Sequence, residues 1–457
     1  MIDVPRLLVA APASGQGKTT WTLALVARLR AAGLRVAPFK VGPDYLDPTH
    51  LGRAAGRPCR NLDPFLLKPP LLTALFARAT RGRHTAEVAI VEGVMGLFDG
   101  IEPTSDRGSS AEVAALLGLP VVLVVDAWAA ARTVAAVVHG LHTFHPQLRL
   151  RGVLLNRVGG AEHAALCTAA IEQATGLPVL GWLPHDPELA LPERHLGLVR
   201  AEELSLPLDR LAARAVVNLD AVLALARAAP PLPEPPALPL PPPPPRPIRI
   251  GRADDAAFHF YYADALDLLE DMGAEWVPFS PLADDALPAG LDAVYLGGGY
   301  PELYAAELSA RPRLFAALRR HVAAGRTLVA ECGGLMFLSE ALVDLEGRRF
   351  PMAGLVPGTS RMLPRLRLGY REAEALRPSP LADRGWTVRG HEFHHSVLEP
   401  PPAEPAYRWR NTQGVDGVVL GPRNNALASY LHVHLASDLR LAARWLSCSL
   451  EADRAAP

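Results

Sequence analysis

The sequence predicts an α/β protein with two domains in tandem: an N-terminal doubly wound parallel sheet carrying a phosphate loop, then a second α/β domain. Three observations predict it. Short Val/Leu/Ile runs alternate with longer helical patterns on both sides of a proline-rich stretch. The first apolar run leads into APASGQGKTT, residues 11–20, a small-residue loop closing on lysine and threonines. Far downstream, TLVAECGGLMFL, residues 327–338, reads as a strand ending in a cysteine followed by two glycines.

In the first half, residues 6–11, 35–39, 88–92, 121–126 and 152–156 read as buried parallel strands. Residues 230–247, PPLPEPPALPLPPPPPRP, hold the backbone near polyproline II and exclude helix interiors and sheet centres, so they read as a semi-rigid spacer. The pattern restarts beyond it, with strands at 248–252, 275–279, 293–296 and 328–330, a helix over 261–272, and more β-rich spacing after Pro351. The expected domains are therefore 1–229 and 248–445, joined by 230–247.

At 457 residues, two cores are expected rather than one. Lys plus Arg number 46 against 47 Asp plus Glu, which leaves no whole-chain electrostatic footprint for nucleic acid or a membrane surface. Cys59, Cys167, Cys332 and Cys448 form no CxxC pair, which argues against a disulfide framework and a zinc site and favours a reducing cytoplasm. The N-terminal apolar run enters the phosphate loop rather than a cleavage site, and no apolar stretch of about 18 residues suggests a membrane helix.

Gly15, Gln16, Gly17, Lys18, Thr19 and Thr20 supply what a phosphate cradle needs: small residues for close backbone approach, a lysine, and hydroxyls for Mg²⁺. Pro12 stands where the strict motif has glycine. Glu92 ends the strand VAIVE and opens EGVMGLFDG at the ligand-binding edge of a parallel sheet, where a carboxylate can serve Mg²⁺ directly or through water. Asp99, near the end of that turn, is a second candidate or an ordinary turn residue. In FKVGPDYLDPTH, residues 39–50, Lys40 and Asp44 bring charge to the same edge, while Tyr45 and Leu46 offer a surface for a flat apolar body. Asp47 adds charge at that edge as well, or is only a turn former before Pro48. Asn156 follows a strand bordering the loop and is placed either for an adenine edge or as a loop cap. Arg53, Arg57, Arg60 and Arg107 read first as solvated charges and only secondarily as carboxylate binders.

In the second half, Cys332 sits where a strand-to-helix turn projects a nucleophile while backbone N–H groups stabilise an oxyanion. YLHVHL supplies His432 as the expected base; His434, on the same face of an alternating strand, is its orienter or the base itself. Gly298 and Gly299 of YLGGGYPE, with Gly333, suit close approach to a glutamine carbonyl. HEFHHS, residues 391–396, reads as a strand facing the same pocket rather than a metal site. A nucleotide-splitting half joined to a thiol-nucleophile half predicts a glutamine-dependent amide-forming ligase. A nucleotide-driven switch with a decayed second domain predicts loss of nucleophile or base, and both are present. A stand-alone glutaminase leaves the charged loop at 40–47 without a purpose.

APASGQGKTT, FKVGPDYLDP, EGVMGLFDG, YLGGGYPE, AECGGLMFL, GHEFHHS and ASYLHVH occur in the order found in the cobyrinic acid a,c-diamide synthases of cobalamin biosynthesis, which this sequence closely resembles over nearly its whole length. The resemblance implies a dethiobiotin-synthetase-like ATP-binding domain followed by a class I glutamine amidotransferase domain. It implies two successive amidations of a corrin polycarboxylate with L-glutamine and MgATP. Lys18 and Thr19 would then hold phosphates and Mg²⁺, with Glu92 and Asp44 at the metal, and Lys40, Asp44, Tyr45, Leu46 and Asp99 near substrate and the transferred phosphoryl. Cys332 would attack glutamine and release ammonia to a carboxyl phosphate. Hydrogenobyrinic acid and nickel sirohydrochlorin enzymes share this layout, so the metal state of the macrocycle stays open. Small-molecule partners are expected, with neither nucleic acid nor membrane, and a homodimer is a possible assembly.

Overall fold

The computed structural model describes residues 1–82, 85–145, 147–189, 193–194, 197–198 and 208–454. The chain separates into two compact units, Met1–Leu238 and Pro239–Pro457.

The first unit alternates strand and helix: β1 (Arg6–Ala10), α1 (Lys18–Ala31), β2 (Val36–Val41), α2 (Asp47–Ala55), β3 (Arg60–Leu62), α3 (Pro69–Thr80), β4 (Val88–Glu92), α4 (Ser110–Leu116), β5 (Val121–Asp126), α5 (Thr133–Phe144), β6 (Leu150–Val158), α6 (Ala161–Thr175) and β7 (Val179–Pro184). Two short strands, β8 (Glu193–Arg194) and β9 (Gly197–Leu198), pair with each other, and α7 (Leu208–Arg214), β10 (Val216–Val217) and α8 (Leu219–Arg227) complete the unit. The sheet order is β10-β7-β6-β5-β1-β4-β2-β3, parallel except for the β10–β7 edge. β1, β4 and β5 are buried almost throughout, as continuous Val/Leu/Ile runs covered on both faces must be. β1 lies between β5 and β4, so the chain leaves it at a crevice where neighbouring connections diverge, which is where open α/β sheets bind ligands.

The second unit contains β11 (Ile248–Ala253), α9 (Ala263–Asp271), β12 (Ala274–Phe279), β13 (Ala293–Leu296), α10 (Ala305–Ser309), α11 (Pro312–Ala323), β14 (Thr327–Glu331) and α12 (Gly333–Leu338). A β-rich half follows, with β15 (Ser339–Val343), β16 (Arg349–Pro351), β17 (Val356–Ala375), β18 (Thr387–Glu399), β19 (Pro405–Trp409), β20 (Val415–Leu420), β21 (Ala426–Ser429) and β22 (His432–Val433), then α13 (Leu439–Arg454). Strands β12-β11-β13-β14-β21 are parallel, and the sheet continues through antiparallel β20, β19 and β17. β18 pairs with both β17 and β22, which carries the chain end back toward the parallel half. In α11, Leu314, Phe315, Leu318 and Val322 recur at helical spacing and pack into a core with Leu296, Leu328 and Phe337.

The proline-rich stretch is fastened at both ends rather than hanging free. Leu232 exchanges two 2.9 Å backbone hydrogen bonds with Ile2 in the first unit. In the second unit, Pro244 lies where a Cβ on Gly273 would be, and Arg246 grips Asp292 with two 2.8 Å bonds. The expected boundary at 445 falls inside α13. Among the described residues no helix is long and apolar enough to cross a membrane.

Candidate active sites

Residues 11–17 turn from β1 into α1, with Gly15 and Gly17 at φ of 75° and 94°. Gly17 is required twice over. Its left-handed backbone disfavours a side chain, and a Cβ there would stand 2.1 Å from Asn156 Nδ2. Asn156 donates from that nitrogen to Gln16 O at 3.0 Å, which ties β6 to the loop. Gln16 Oε1 accepts from Asp126 N at 3.2 Å, tying the loop to β5 as well. Lys18 Nζ donates to Ala13 O and Met95 O, and burial followed by the nearby Lys40 charge lowers its pKa to about 8. Thr20 lies half-buried in the first turn of α1.

Two strand ends, β2 and β4, and two helix starts, α1 and α2, place one charge network beside this loop. Thr19 Oγ1 donates to Glu92 Oε1 at 2.8 Å; Lys40 Nζ reaches the same oxygen at 2.7 Å and Asp47 Oδ2 at 2.6 Å. Burial opposes the charge on Lys40, but Asp47 and Glu92 outweigh it and raise its pKa. Asp47 is held below the usual carboxylate range despite burial, because Lys40 neutralises it; Glu92, fully buried, is pushed up by desolvation. Asp44 is raised to about 7 by burial and then by Asp47, and its Oδ1 accepts from Leu46 N at 2.7 Å. Asp47 is thus the member that turn chemistry obscured.

Glu92 Oε2 is buried without a hydrogen-bond partner. With the Thr19 hydroxyl and Asp44, that uncommitted oxygen fits Mg²⁺, which takes one or two carboxylates and fills its octahedron with water and phosphate oxygens.

Two expectations change here. Leu46 is 4% exposed because the turn into α2 directs it to the core, leaving Tyr45 as the accessible member of the pair. Asp99 Oδ2 accepts from Gly96 N at 2.8 Å and closes its own turn. Arg57 donates to Ala79 O, and Arg107 pairs with Glu102 at the surface.

In the second unit, Cys332 occupies φ 48°, ψ −101° between β14 and α12, a strained elbow that a non-glycine residue adopts only under tight surroundings. Cys332 N donates to Ser429 O at 2.7 Å, and the thiol faces Phe393 O at 3.9 Å. Burial, then the Glu302 charge, pushes the thiol pKa up, so the resting sulfur is protonated and attack requires a base. Space around it exists because of glycines. A Cβ on Gly333 would stand 3.1 Å from Gly299 N, one on Gly334 2.3 Å from Leu296 O, and one on Gly298 2.4 Å from His432 Cε1. The glycine loop is therefore a common wall between the elbow and His432.

His432 is buried and stacks on His391 at 4.9 Å and 18°, the two residues also being register partners of β22 and β18. Burial first, then His391 and His394, hold His432 well below its ordinary pKa, so it is neutral and able to accept a proton. His434 departs from expectation. β22 ends at Val433, so His434 does not continue an alternating face. Its ring stacks on Tyr262 at 4.4 Å and Nδ1 accepts from Ala436 N at 3.3 Å. Its neighbours are thus Tyr262 and Ala436 rather than Cys332. The Tyr262 hydroxyl lies 3.3 Å from His391 Nδ1, so a chain of rings, Tyr262 and His391, runs from His434 to His432. The HEFHHS strand does face this region. Glu392 pairs with Arg371 and His394, and His394 stacks on Tyr430 at 4.0 Å. Among the described residues no group of three or more His, Cys, Asp or Glu is placed to hold a metal.

Residues 7–199 match the CobQ/CobB/MinD/ParA nucleotide binding domain family, and residues 249–439 the CobB/CobQ-like glutamine amidotransferase domain family. The chain is 42% identical over 460 residues to the cobyrinate a,c-diamide synthase of Dehalococcoides mccartyi, covering 98% of this chain and 99% of that one. It is 45% identical over 455 residues to the enzyme of the same name from Syntrophotalea carbinolica, covering 95% and 96%. It is also 42% identical over 483 residues to the hydrogenobyrinate a,c-diamide synthase of Streptomyces coelicolor, covering 97% of each. With a phosphate-loop unit, a cysteine elbow and end-to-end identity of this order, the chain belongs to the cobyrinate a,c-diamide synthase family of glutamine-dependent amide-forming ligases.

Proposed function

We propose that the protein converts the a and c acetate carboxylates of cobyrinate to amides, using glutamine and ATP. The observation that carries this reading is the coexistence in one chain of the buried Thr19–Glu92–Lys40 network and the Cys332 elbow.

In the second unit, His432 takes the thiol proton as Cys332 sulfur attacks the glutamine amide carbon. Backbone N–H groups of the 298–299 and 333 segments hold the resulting oxyanion. The tetrahedral intermediate collapses, the C–N bond breaks, and the proton on His432 leaves with ammonia. Water, deprotonated by the same histidine, then cleaves the thioester to glutamate and restores the thiol.

In the first unit, a substrate carboxylate oxygen attacks the γ-phosphorus of ATP, giving an acyl phosphate and ADP. Ammonia adds to the activated carbonyl, phosphate leaves, and a proton is released as the amide forms. The backbone of residues 15–19 cradles phosphates, and Lys18 and Lys40 oppose the charge that develops on them. Thr19, Glu92 and Asp44 would hold Mg²⁺, which supplies charge neutralisation to the phosphates when bound. Two rounds give the diamide.

The test is mass spectrometry of cobyrinate incubated with MgATP and glutamine, beside Cys332→Ala given glutamine or ammonium salt. Two carboxylate-to-amide conversions, with ammonium alone rescuing the variant, support the assignment. Product from hydrogenobyrinate but not cobyrinate moves the acceptor to the metal-free ring.

A further inference from the structure

We infer that Glu331 is a positioning residue of the amidotransferase half, whose carboxyl group ties the strand carrying His432 to the strand that ends at Cys332. Glu331 is the last residue of β14, immediately before the elbow, and is 3% exposed. Its Oε1 accepts from Val433 N at 3.0 Å, and its Oε2 accepts from Tyr295 OH at 3.0 Å. Tyr295 stands on β13, the neighbouring parallel strand, so one oxygen is anchored in the sheet while the other reaches the chain end. Val433 directly follows His432.

The need for such a tie follows from topology. β22 is two residues long, and its register partners are Gly390 and His391 of β18 alone. β18 in turn belongs to the antiparallel half, through β17. β21 runs parallel beside β14 as far as Ser429, and two residues later the chain enters β22, so the backbone brings the base near the nucleophile while the ladder partners of β22 itself lie on β18. The Glu331 side chain makes a direct hydrogen bond from the nucleophile's own strand to the base's own strand. It also satisfies a buried backbone N–H that would be costly to leave unpaired. Burial raises the Glu331 pKa to about 8.

The inference rests on Cys332 as nucleophile and His432 as base, and the experiment separates the two. Glutaminase kcat and KM, ammonium-supported amidation and thermal melting are measured for wild type, His432→Ala, Glu331→Ala, Glu331→Gln and Tyr295→Phe. The Glu331→Gln variant keeps a carbonyl acceptor for Val433 N. The Tyr295 variant removes the other bond and exposes the same carboxyl to a comparable structural loss.

Glu331→Ala is expected to lower glutaminase kcat by about 10²-fold, the scale of an ångström misplacement of a reacting group, with little change in KM for glutamine. Ammonium-supported amidation stays. Glu331→Gln and Tyr295→Phe remain within a few-fold of wild type. Should Glu331→Ala not fold, Glu331→Met keeps the volume without the acceptor and takes its place. Full glutaminase activity in Glu331→Ala, or an equal loss in Tyr295→Phe or Glu331→Gln, overturns the positioning role. Unchanged glutaminase in His432→Ala instead overturns the base assignment beneath it.

Discussion

Gly298→Ala tests the reading of the glycine loop and His432 together. The backbone of Gly298 lies outside the left-handed region, so alanine is conformationally allowed and the effect is steric. The added methyl would stand 2.4 Å from His432 Cε1 and 3.1 Å from Phe260 Cδ2. Reaching ordinary contact at 3.4 Å moves the imidazole by about 1 Å. The ring has little room to yield, because its face is stacked on His391 and the residue is 1% exposed. Overpacking of this kind costs about 1–3 kcal/mol of stability. The larger consequence is catalytic. A misplaced base lowers glutaminase kcat by about 10²-fold.

The assay is glutamate release with saturating glutamine, set against amidation supported by ammonium salt. The expected pattern is a collapse of the first with the second intact. Glutaminase within about threefold of wild type would refute the placement of His432 at the reacting centre, since a ring displaced by an ångström cannot keep a proton transfer in line.

Lys40→Met removes the cation between Glu92 and Asp47. Leaving buried carboxylates uncompensated costs about 3–5 kcal/mol, so the first unit should melt early and ammonium-supported amidation should vanish while glutaminase persists. Asp44→Asn acts on a carboxyl raised to about 7. The folded state holds that proton more tightly than the unfolded chain, so this group's contribution falls as pH rises from about 4 through 7. The variant should flatten that slope in thermal melts and gain stability at pH 8, while losing amidation. In the second unit, His391 and His434 are lowered to about 3 by burial. The unfolded chain takes up those protons first, so their contribution is complete above about pH 6.5 and is lost as pH falls toward 3, which urea titrations at pH 7 and pH 5 should register as a falling midpoint.

The strands are legible in the sequence because continuous apolar runs bounded by glycine and proline have few alternatives, and Gly17, Gly298 and Cys332 announce themselves through spacing. Asp47 does not. Beside Pro48 its turn-forming reading competes with a partner, Lys40, whose proximity arises only when β2 and α2 fold back on each other. Leu46 misleads for a related reason: adjacency to Tyr45 in sequence says nothing about which of two neighbours a helix start turns inward. His434 is misplaced when strand alternation is extended one residue past the end of β22. Glu331 is hidden by its neighbour, since a carboxylate before a nucleophile carries no pattern of its own until Val433 N arrives from 102 residues away.

The Lys40–Asp47 pair of the first unit and the cysteine and histidines of the second are buried in different electrostatic regimes, and each regime suits the proposed chemistry. In the first, Lys40 is raised and Asp47 lowered, so at that pair burial is offset by opposite charge and both partners stay ionised. Phosphoryl transfer moves negative charge between oxygens, and fixed charges that need no reorganisation can stabilise it. In the second, the cysteine is raised and His391, His432 and His434 are lowered, so burial favours the neutral forms of these four groups. A neutral thiol beside a neutral imidazole is inert until an amide carbonyl offers the sulfur somewhere to go, and only then does proton transfer create charge. That arrangement should keep glutamine hydrolysis dependent on a correctly seated carbonyl, because the ion pair it requires is costly in a dry pocket without an oxyanion to share the field.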